Sequence, residues 1–409
     1  MTIDKGTVED LLEEFGSPLF LVSEKSLSAR YAQLSEALAE HYENSTIAYS
    51  FKTNYLPKIC KAFKEKGAFA EVVSGFEYNL AHKLGYKDDQ IIFNGPHKPD
   101  DAVGSALRDG CTVNADSMED LARMYEVARG LGRVCEIGMR VSTSEIRFFK
   151  QWRRFGFNIE NGAAERACRF VKEHYGDFLT VRGFHIHIGT GVRDPAGYAQ
   201  AASTVARFVT GPAARLGIHP EYLDFGGGFV TEHHGIRGIE TKPVPPIGKF
   251  VAAIADILKA DMADCPRLIL EPGRFLVADS TMLATRVLSA ERLPDGRQHL
   301  TVDATIGMLP DAPYMRHAVH SFASNPERVL TFIYGASCTV MDSLHVGELP
   351  VLQRGDVLLL MSCGAYSISR SAQFIYPRPA VVWITADDTH SLARKSETPE
   401  DLTRLDSFE

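Results

Sequence analysis

The feature that most constrains the fold is an alternation of short apolar runs with longer amphipathic segments between residues 46 and 273. The runs are short, apolar or β-branched, as expected of buried strands; they are 46–51, 68–73, 90–94, 111–116, 135–142, 181–189, 222–228 and 267–273. Segments between them, such as SMEDLARMYEVARGLG, place apolar residues at helical spacing. Eight such strand–helix pairs predict an α/β fold of the (β/α)8, TIM-type barrel class. A doubly wound open sheet is the alternative, but its first strand usually leads into a glycine-rich turn, and SFKTN is not one.

The pattern changes after about residue 275, where helical periodicity nearly disappears. Strand-like runs follow, separated by turn signals such as LPDGRQ and QRGD; they are TMLATRVLSAERL, HLTVDATIGM, RVLTFIYGASCT, DVLLLMSCGAYS and AVVWITADD. These runs predict a second, mostly β domain of sandwich or barrel-like form. The first thirty residues contain another strand-like run, PLFLVSE. We therefore expect a barrel domain over 31–275 and a β domain over 276–409 that also includes 1–30.

Composition excludes several classes of function. The net charge is −8 without a basic block, so neither nucleic acid nor an anionic membrane is expected as a partner. No apolar run approaches the ~20 residues that cross a bilayer, and the N-terminus lacks the regions of a signal peptide. The seven cysteines occur singly, with no CxxC pair. A reduced, cytoplasmic location is the expectation.

The ends of the predicted strands carry the chemistry, because a barrel places its reactive groups where its strands end. Those side chains and turns are Lys52 after the first strand, His185, His187 and Thr190 at the sixth, Gly226 to Gly228 at the seventh, and Glu271 to Arg274 at the eighth. The first and eighth strands are neighbours in a closed barrel. We therefore expect Lys52 and Glu271 to face the same mouth although they lie far apart in the chain.

Each of these groups has an ordinary interpretation when it is taken alone. A strand-end lysine is usually solvated, three glycines can form a tight turn, and the His-Ile-His spacing also suits a metal site in a barrel hydrolase. Together they form a more specific set. A lysine can form a Schiff base, a glycine nest with Thr190 can hold a phosphate, an acid can pair with a pyridine nitrogen, and an imidazole can stack on a ring. The set predicts pyridoxal phosphate as cofactor and no metal.

Eight motifs in order then identify a family. They are YSFKTN, AEVVSGFE, IIFNGPHK, HIHIGTG, LDFGGGF, EPGRFLVADSTMLATRV, GASCTVMD and GAYS. In this the chain resembles the barrel-type pyridoxal phosphate decarboxylases, the group of diaminopimelate, ornithine and arginine decarboxylases. The resemblance covers nearly the whole chain and implies an alanine racemase-like barrel with a C-terminal β domain.

The resemblance also implies roles for matching positions. Lys52 would hold the cofactor as a Schiff base, and Cys338 would return a proton to the substrate carbon from the partner subunit of a homodimer with shared active sites. The cofactor-binding set would be Lys52, Glu71, His187, Thr190, Gly226, Gly227, Gly228, Glu271, Gly273, Arg274 and Tyr366. The substrate-binding set would be Arg154, Arg274, Tyr314, Thr339, Asp342 and Tyr366. The substrate would be an amino acid.

Two departures from the family pattern bear on the substrate. Thr339 stands where diaminopimelate decarboxylases usually have an acid that faces the distal amine, and Ala312 stands where they have an arginine for the distal carboxylate. Glu71 in place of an aspartate is a milder change. An unpaired buried charge costs several kcal/mol, so free meso-diaminopimelate and ornithine are disfavoured. We expect an amino acid whose far end is neutral, bulky, conjugated or linked to a carrier, in a natural-product or siderophore pathway.

Other functions stay open at this point. The chain is a meso-diaminopimelate decarboxylase of lysine biosynthesis if another residue, such as Arg316, supplies the missing contact. An amino-acid racemase would share the barrel and the cofactor, but racemases of that type usually place an arginine at the position of Glu271. A noncatalytic cofactor carrier would lack the β domain with Cys338, and a metal hydrolase would leave Lys52 without a purpose.

Overall fold

A computed structural model describes residues 3–144, 154–233, 235–237, 239 and 243–408. Its strands are β1 (Leu19–Ser23), β2 (Ser45–Ser50), β3 (Phe69–Val72), β4 (Ile91–Phe93), β5 (Thr112–Ala115), β6 (Cys135–Ser142), β7 (Phe157–Asn158), β8 (Leu179–Ile186), β9 (Tyr222–Asp224), β10 (Arg267–Leu270), β11 (Thr281–Arg292), β12 (Gln298–Val302), β13 (Val319–Ser321), β14 (Arg328–Tyr334), β15 (Ser343–Pro350), β16 (Val357–Leu360), β17 (Val381–Ile384) and β18 (His390–Arg394). Its α-helices are α1 (Lys5–Phe15), α2 (Glu24–His41), α3 (Pro57–Glu65), α4 (Gly75–Lys83), α5 (Asp100–Asp109), α6 (Met118–Leu131), α7 (Ala163–Phe170), α8 (Pro195–Phe208), α9 (Ile247–Asp261), α10 (Arg274–Val277) and α11 (Pro399–Thr403).

One compact unit comprises Tyr31–Glu232 and Val244–Gly273. Its sheet runs β2, β3, β4, β5, β6, β8, β9, β10, and parallel pairing of β10 with β2 closes it into an eight-stranded barrel. The short β7 pairs only with the end of β6. The predicted (β/α)8 barrel is confirmed, and each of its eight strands lies within or beside a predicted run.

Several predicted strands end earlier in the structure than in the sequence pattern, and two of them end before the glycine turns. The run 181–189 ends as a strand at Ile186 and the run 222–228 ends at Asp224. Beyond these points Gly226 and Gly228 have φ angles of 62° and 103°, which lie in the left-handed region that glycine tolerates and a strand does not use. The glycines therefore form a loop at the mouth of the barrel.

Serine caps explain where two barrel helices begin. Ser74 accepts a hydrogen bond from the backbone N–H of Glu77 at 3.2 Å, and Ser117 does the same for Asp120 at 3.2 Å. Each pair places a hydroxyl cap three residues before an acid in the first helical turn.

Within the described parts of the chain, no helix has the length and apolar character needed to cross a membrane.

The second compact unit comprises Met1–Arg30, His233–Pro243 and Arg274–Glu409. Strand β1 pairs antiparallel with β11 and parallel with β17, so PLFLVSE joins the C-terminal sheet. The predicted runs contain β11, β12, β14, β16 and β17, and the structure adds β13, β15 and β18. A buried cluster holds this unit together, including Leu11 of α1, Leu21 of β1 and Val382 of β17. This clustering is why residues before the barrel pack with residues after it.

Two glycines make room for polar side chains inside the barrel. A Cβ atom at Gly183 would lie 2.3 Å from Cζ of Tyr222, and a Cβ at Gly138 would lie 1.7 Å from Oδ1 of Asn114. Contacts this short are not tolerated, because interiors are close-packed. The hydroxyl of Tyr222 donates to Oδ1 of Asn114 at 2.8 Å in the space that the glycines leave.

We predict that Gly183→Ala lowers the free energy of unfolding by at least about 1–3 kcal/mol, the usual cost of overpacking a core. The control is Gly104→Ala in α5, where an added Cβ would meet no atom within 4 Å. That control should be neutral or stabilising by up to about 1 kcal/mol, because alanine is the better helix former. Urea denaturation of both variants measures the difference, and equal effects would contradict the packing argument.

Candidate active site

Lys52 lies immediately beyond a buried strand. Strand β2 ends at Ser50, and Phe51–Thr53 forms a single 3-10 turn in which Phe51 and Thr53 are buried. The Lys52 side chain is 39% exposed, whereas Glu71, to which its Nζ donates a hydrogen bond, is fully buried. The turn therefore presents the lysine amine to the barrel mouth and anchors it on a buried carboxylate.

A hydrogen-bonded network connects that carboxylate to the acid of the eighth barrel strand. Ser50 Oγ donates to Glu71 Oε2 at 2.5 Å. Asn94, which follows β4, donates from Nδ2 to Glu71 Oε1 at 3.2 Å and to Glu271 Oε1 at 2.5 Å. Lys52 and Glu271 thus belong to one network at the mouth, as the closure of the barrel predicts.

Glu271 shares its buried surroundings with a histidine and a second acid. Nε2 of His185 lies 3.3 Å from Oε2 of Glu271. Burial opposes ionisation of Glu271, but His185 and Lys52 outweigh it and lower the pKa of this carboxyl. Burial and the neighbouring charge of Glu271 raise the pKa of Asp224. The arrangement favours the ionised form of Glu271 and the protonated form of Asp224.

The glycine loop after β9 is shaped by close backbone contacts. A Cβ at Gly227 would lie 2.3 Å from the carbonyl oxygen of Glu271, and one at Gly228 would lie 2.2 Å from that of Gly189. The backbone N–H of Gly227 donates to Nδ1 of His187 at 3.3 Å. Only glycine permits this approach, and the loop brings an imidazole and backbone N–H groups together.

The residues of this unit fit a phosphorylated pyridine aldehyde. Lys52 offers an amine, ionised Glu271 offers a partner for a protonated ring nitrogen, and the glycine loop leaves no space for side chains beside its backbone. Thr190 is exposed and directly follows Gly189, whose carbonyl oxygen lies against Gly228 of this loop. Both ring nitrogens of His185 are buried without a hydrogen-bond partner among the described residues. These two nitrogens are therefore available to a polar group bound at the mouth.

Ligand atoms of His185, Asp224 and Glu271 also lie within 4.8 Å of one another, a geometry that a metal ion can use. The metal alternative from the sequence involved the His-Ile-His pair. In the structure the two imidazoles have different neighbours. His185 lies beside Glu271, and His187 accepts a hydrogen bond from the backbone of the glycine loop.

Two predicted cofactor residues meet in the other unit. Arg274 is the first residue of α10, and its guanidinium lies 5.2 Å from the centre of the Tyr366 ring. Its Nε is buried without a hydrogen-bond partner among the residues that the structure describes. Tyr366 has a φ of 66°, a left-handed conformation that is costly for a tyrosine and that clusters at functional sites. Gly273 lies directly before Arg274, at a point where a Cβ would meet Thr53 Oγ1 at 2.0 Å.

The predicted proton donor Cys338 lies in the exposed loop between β14 and β15. Asp342 in the same loop is 3% exposed, and its carboxylate accepts from the backbone N–H groups of Ile306 at 2.7 Å and Ser337 at 2.9 Å. Asp342 therefore fixes the shape of the loop that presents Cys338 and Thr339. Its contact with substrate stays a prediction.

The other predicted substrate residues belong to other segments of the chain. Tyr314 is 46% exposed, and its hydroxyl accepts from Nη1 of Arg370 at 2.8 Å. Ala312, where the family has an arginine, is fully buried. Arg154 is exposed, with its guanidinium 5.2 Å from the ring of Phe155; residues 145–153, which precede it, lie outside the described part of the chain.

Comparison with known proteins assigns the chain to a family of enzymes. Residues 24–278 match the family model of the pyridoxal-dependent decarboxylases, pyridoxal binding domain. The chain belongs to this family. It is 27% identical to the diaminopimelate decarboxylase of Bacillus subtilis, covering 97% of this chain and 92% of that protein. It is 29% identical to the diaminopimelate decarboxylase of Methanothermobacter thermautotrophicus, with the same coverage.

A solved structure agrees with this assignment. The diaminopimelate decarboxylase from Methanocaldococcus jannaschii, in complex with L-lysine, superposes with a TM-score of 0.90 at 27% identity, covering 98% of this chain and 94% of that one. The predicted family, barrel fold, pyridoxal phosphate cofactor and carboxy-lyase class are therefore confirmed.

Several residues of the site were not assigned roles from the sequence. They are Ser50, Asn94, Asn114, Tyr222 and Asp224. The available signal was a polar residue inside or beside an otherwise apolar run, such as Asn94 after IIF. That signal identifies an unusual polar residue but does not predict which side chain forms its hydrogen bond.

We predict that His187 contributes a pH-dependent part of the stability. Burial and the charge of Arg140 lower its pKa to about 3. A histidine with a lowered pKa stabilises the fold above its unfolded value of about 6.5, and this contribution is lost as the pH falls toward the folded value. Between pH 6.5 and 4, urea denaturation of the cofactor-free protein should therefore show a steeper loss of stability than His187→Gln shows. The exposed His219→Gln is the control, and parallel slopes for wild type and His187→Gln would contradict the prediction.

Proposed function

We propose that this enzyme decarboxylates an amino acid whose distal end carries no free ammonium group. The observation that carries the proposal is Thr339, a neutral residue beside Cys338 at the position where the family resemblance places an acid. A threonine hydroxyl accepts a hydrogen bond but supplies no charge. An ammonium group taken from water into such a site would lose its hydration without gaining a counter-ion. A conjugated, acylated or carrier-linked amine avoids this cost.

The residues at the barrel mouth support a division of roles. Pyridoxal phosphate, when bound, supplies the electron sink for the electron pair that carbon dioxide leaves behind. Lys52 would hold the cofactor covalently, with Glu71 orienting its amine, and Glu271 would keep the ring nitrogen protonated. His187 would stack on the ring. Holding the phosphate would fall to the glycine loop, Thr190, Arg274 and Tyr366.

The proton that completes the reaction would come from the Cys338 thiol. A thiol has an ordinary pKa near 8.5, close enough to neutrality for proton transfer at working pH. The loop that carries Cys338 is held by the buried Asp342, which supports a fixed position for the donor.

An exposed apolar surface supports a homodimer that shares its active sites. Val340 and Met341 beside Cys338 are 97% and 60% exposed, and Phe374 and Ile375 are 46% and 55% exposed. These two segments are neighbours, because the hydroxyl of Tyr376 donates to the carbonyl of Ala336 at 3.3 Å. Contiguous exposed apolar groups mark interaction surfaces, and a second copy of this chain would place Cys338 at the partner's cofactor.

A second candidate is the decarboxylation of meso-diaminopimelate. It is favoured by the names of the relatives and by Arg370, whose contact with Tyr314 brings a cation to the loop that lacks an arginine at position 312. Arg370 rather than Arg316 would then bind the distal carboxylate. Position 339 itself carries no acid, so we rank this candidate second.

Matched substrates separate the two candidates. Carbon dioxide release is measured from meso-diaminopimelate, lysine and ornithine, and from ornithine and lysine acylated at the distal nitrogen. We expect the acylated compounds to have the higher kcat/KM of each pair. Brisk turnover of meso-diaminopimelate with none of the acylated compounds would overturn the first candidate in favour of the second.

We predict that Lys52→Ala abolishes the visible absorbance that the protein gains with pyridoxal phosphate and reduces decarboxylation to background. The substitution removes the amine that this turn anchors on Glu71, and with it the group that would bind the cofactor covalently. The control is Lys61→Ala on α3, an exposed lysine that pairs with Glu65 at 3.8 Å. An unchanged spectrum in Lys52→Ala would refute the assignment.

We predict that Thr339→Glu shifts preference toward substrates with a free distal ammonium group. A hydrogen bond to a charged group contributes about 1.5–3 kcal/mol, so kcat/KM for ornithine or diaminopimelate should rise roughly 10- to 100-fold. Thr339→Gln, of the same length but neutral, is the control. A rise of the same size in both variants would show that shape rather than charge determines the preference.

A further inference from the structure

We infer that Asn94 is a positioning residue that donates hydrogen bonds to the neighbouring buried carboxylates of Glu71 and Glu271, and so couples the lysine end of the cofactor site to its ring-nitrogen end. The inference rests on the proposed roles of Lys52 and Glu271. It adds a residue to which neither the resemblance nor the comparisons assign a function.

The geometry brings two buried anions to one amide. Asn94 is 4% exposed, Glu71 is fully buried and Glu271 is 4% exposed. One nitrogen, Nδ2 of Asn94, lies 3.2 Å from Oε1 of Glu71 and 2.5 Å from Oε1 of Glu271. Two carboxylates this close in a low-dielectric interior repel each other, and without compensation one takes up a proton. The two N–H groups of the amide provide a donor for each carboxylate.

The orientation of the Asn94 amide is determined by its neighbours. Its carbonyl oxygen accepts from Nδ2 of Asn114 at 2.8 Å, and Oδ1 of Asn114 accepts from the hydroxyl of Tyr222 at 2.8 Å. Burial raises the pKa of Tyr222, so this hydroxyl remains a donor. Rotating the Asn94 amide by half a turn would point its carbonyl oxygen at both carboxylates. The chain of hydrogen bonds therefore runs in one direction, from Tyr222 to the two acids.

The barrel holds this chain of hydrogen bonds from three sides. Asn94 follows β4, Asn114 lies in β5 and Tyr222 lies in β9. The space for the last two exists because residues 138 and 183 are glycines. Asn94 is thus prevented from turning away from the acids, as a surface asparagine would do.

An amide suits this position better than other polar side chains. An aspartate would add a third negative charge, a hydroxyl has only one hydrogen to donate, and a lysine would neutralise one of the two acids. Asn94 satisfies both acids and leaves their charge unchanged. One charge then remains for Lys52 and the other for the ring nitrogen.

Other titratable groups also act on the pair and set the background for a test. Those on the elements packed around it are Lys52, Glu77, Arg140, His185, His187, Tyr222 and Asp224. A substitution at Asn94 leaves all of these groups in place, so a difference between variant and wild type reports on the two acids together with the groups that respond to them.

The first test measures how stability depends on pH in the full-length, cofactor-free protein. Asn94→Leu removes the donors at similar volume, which should raise the folded pKa of one carboxyl above its unfolded value of about 4.3. Stability is then lost as the pH rises through that window. We expect the unfolding constant of the variant, relative to wild type, to grow at least about tenfold between pH 4.5 and 7.5, which corresponds to one unit of pKa.

The control for the loss of a buried amide is Gln298→Leu in β12, which is similarly buried and contacts the carbonyl of Leu352 and the hydroxyl of Thr331 rather than the two acids. Its effect should be constant across the same pH range. A constant effect in Asn94→Leu would overturn the inference and make Asn94 a packing residue. If Asn94→Leu does not fold, Asn94→Thr, which keeps one donor, replaces it with an expected pH dependence in the same direction.

The second test uses the enzyme loaded with pyridoxal phosphate and follows the absorbance of the lysine-bound cofactor against pH. Loss of one negative charge beside Lys52 should lower the pH at which that absorbance changes, relative to wild type and Gln298→Leu. An unshifted titration in Asn94→Leu would contradict the coupling. A wild-type protein without any visible band would refute the proposed cofactor role, while the unfolding test would still decide whether Asn94 couples the two acids.

Discussion

The structure of the site depends on two carboxylates, Glu71 and Glu271, that are buried next to each other at the mouth of a barrel. Burying one carboxylate is unfavourable, and burying two side by side is more so. Three side chains offset this cost. The amine of Lys52 contacts Glu71, His185 lies beside Glu271, and the amide of Asn94 lies between the two acids. Donors and a cation at these positions reduce the cost of burying the two acids next to each other.

The barrel is suited to this task because its closure joins strands that are distant in sequence. Pairing of β10 with β2 brings Glu271 into the network of Lys52, although more than two hundred residues separate them. The glycine loop after β9 uses backbone conformations that only glycine adopts easily. In the second unit, the buried Asp342 holds the loop that exposes Cys338 and Thr339. Each unit therefore prepares its own part of the chemistry through buried polar contacts.

The sequence predicted the barrel because hydrophobic periodicity is a local signal that survives without knowledge of the fold. It also predicted Lys52 and Glu271 as partners in one site, because a closed barrel makes its first and last strands neighbours. It did not predict that Asn94 would bridge two acids or that Arg370 would contact Tyr314. Those contacts join residues of separate elements, and their geometry depends on register and side-chain direction, which periodicity does not report. The role of Asp342 was predicted by resemblance, and its burial could not be read from the chain.

The sequence by itself determined the class of fold, the family, the cofactor and the neutral residue Thr339 beside Cys338, because these follow from residue types in a fixed order. Only the tertiary structure decided which buried groups are neighbours and in which direction they shift the pKa of one another. The physical reason is that ionisation of a buried acid depends on the donors and charges within a few ångströms of it. Those neighbours come from β2, β3, β8, β9, β10 and the turn after β4, and only folding brings them together.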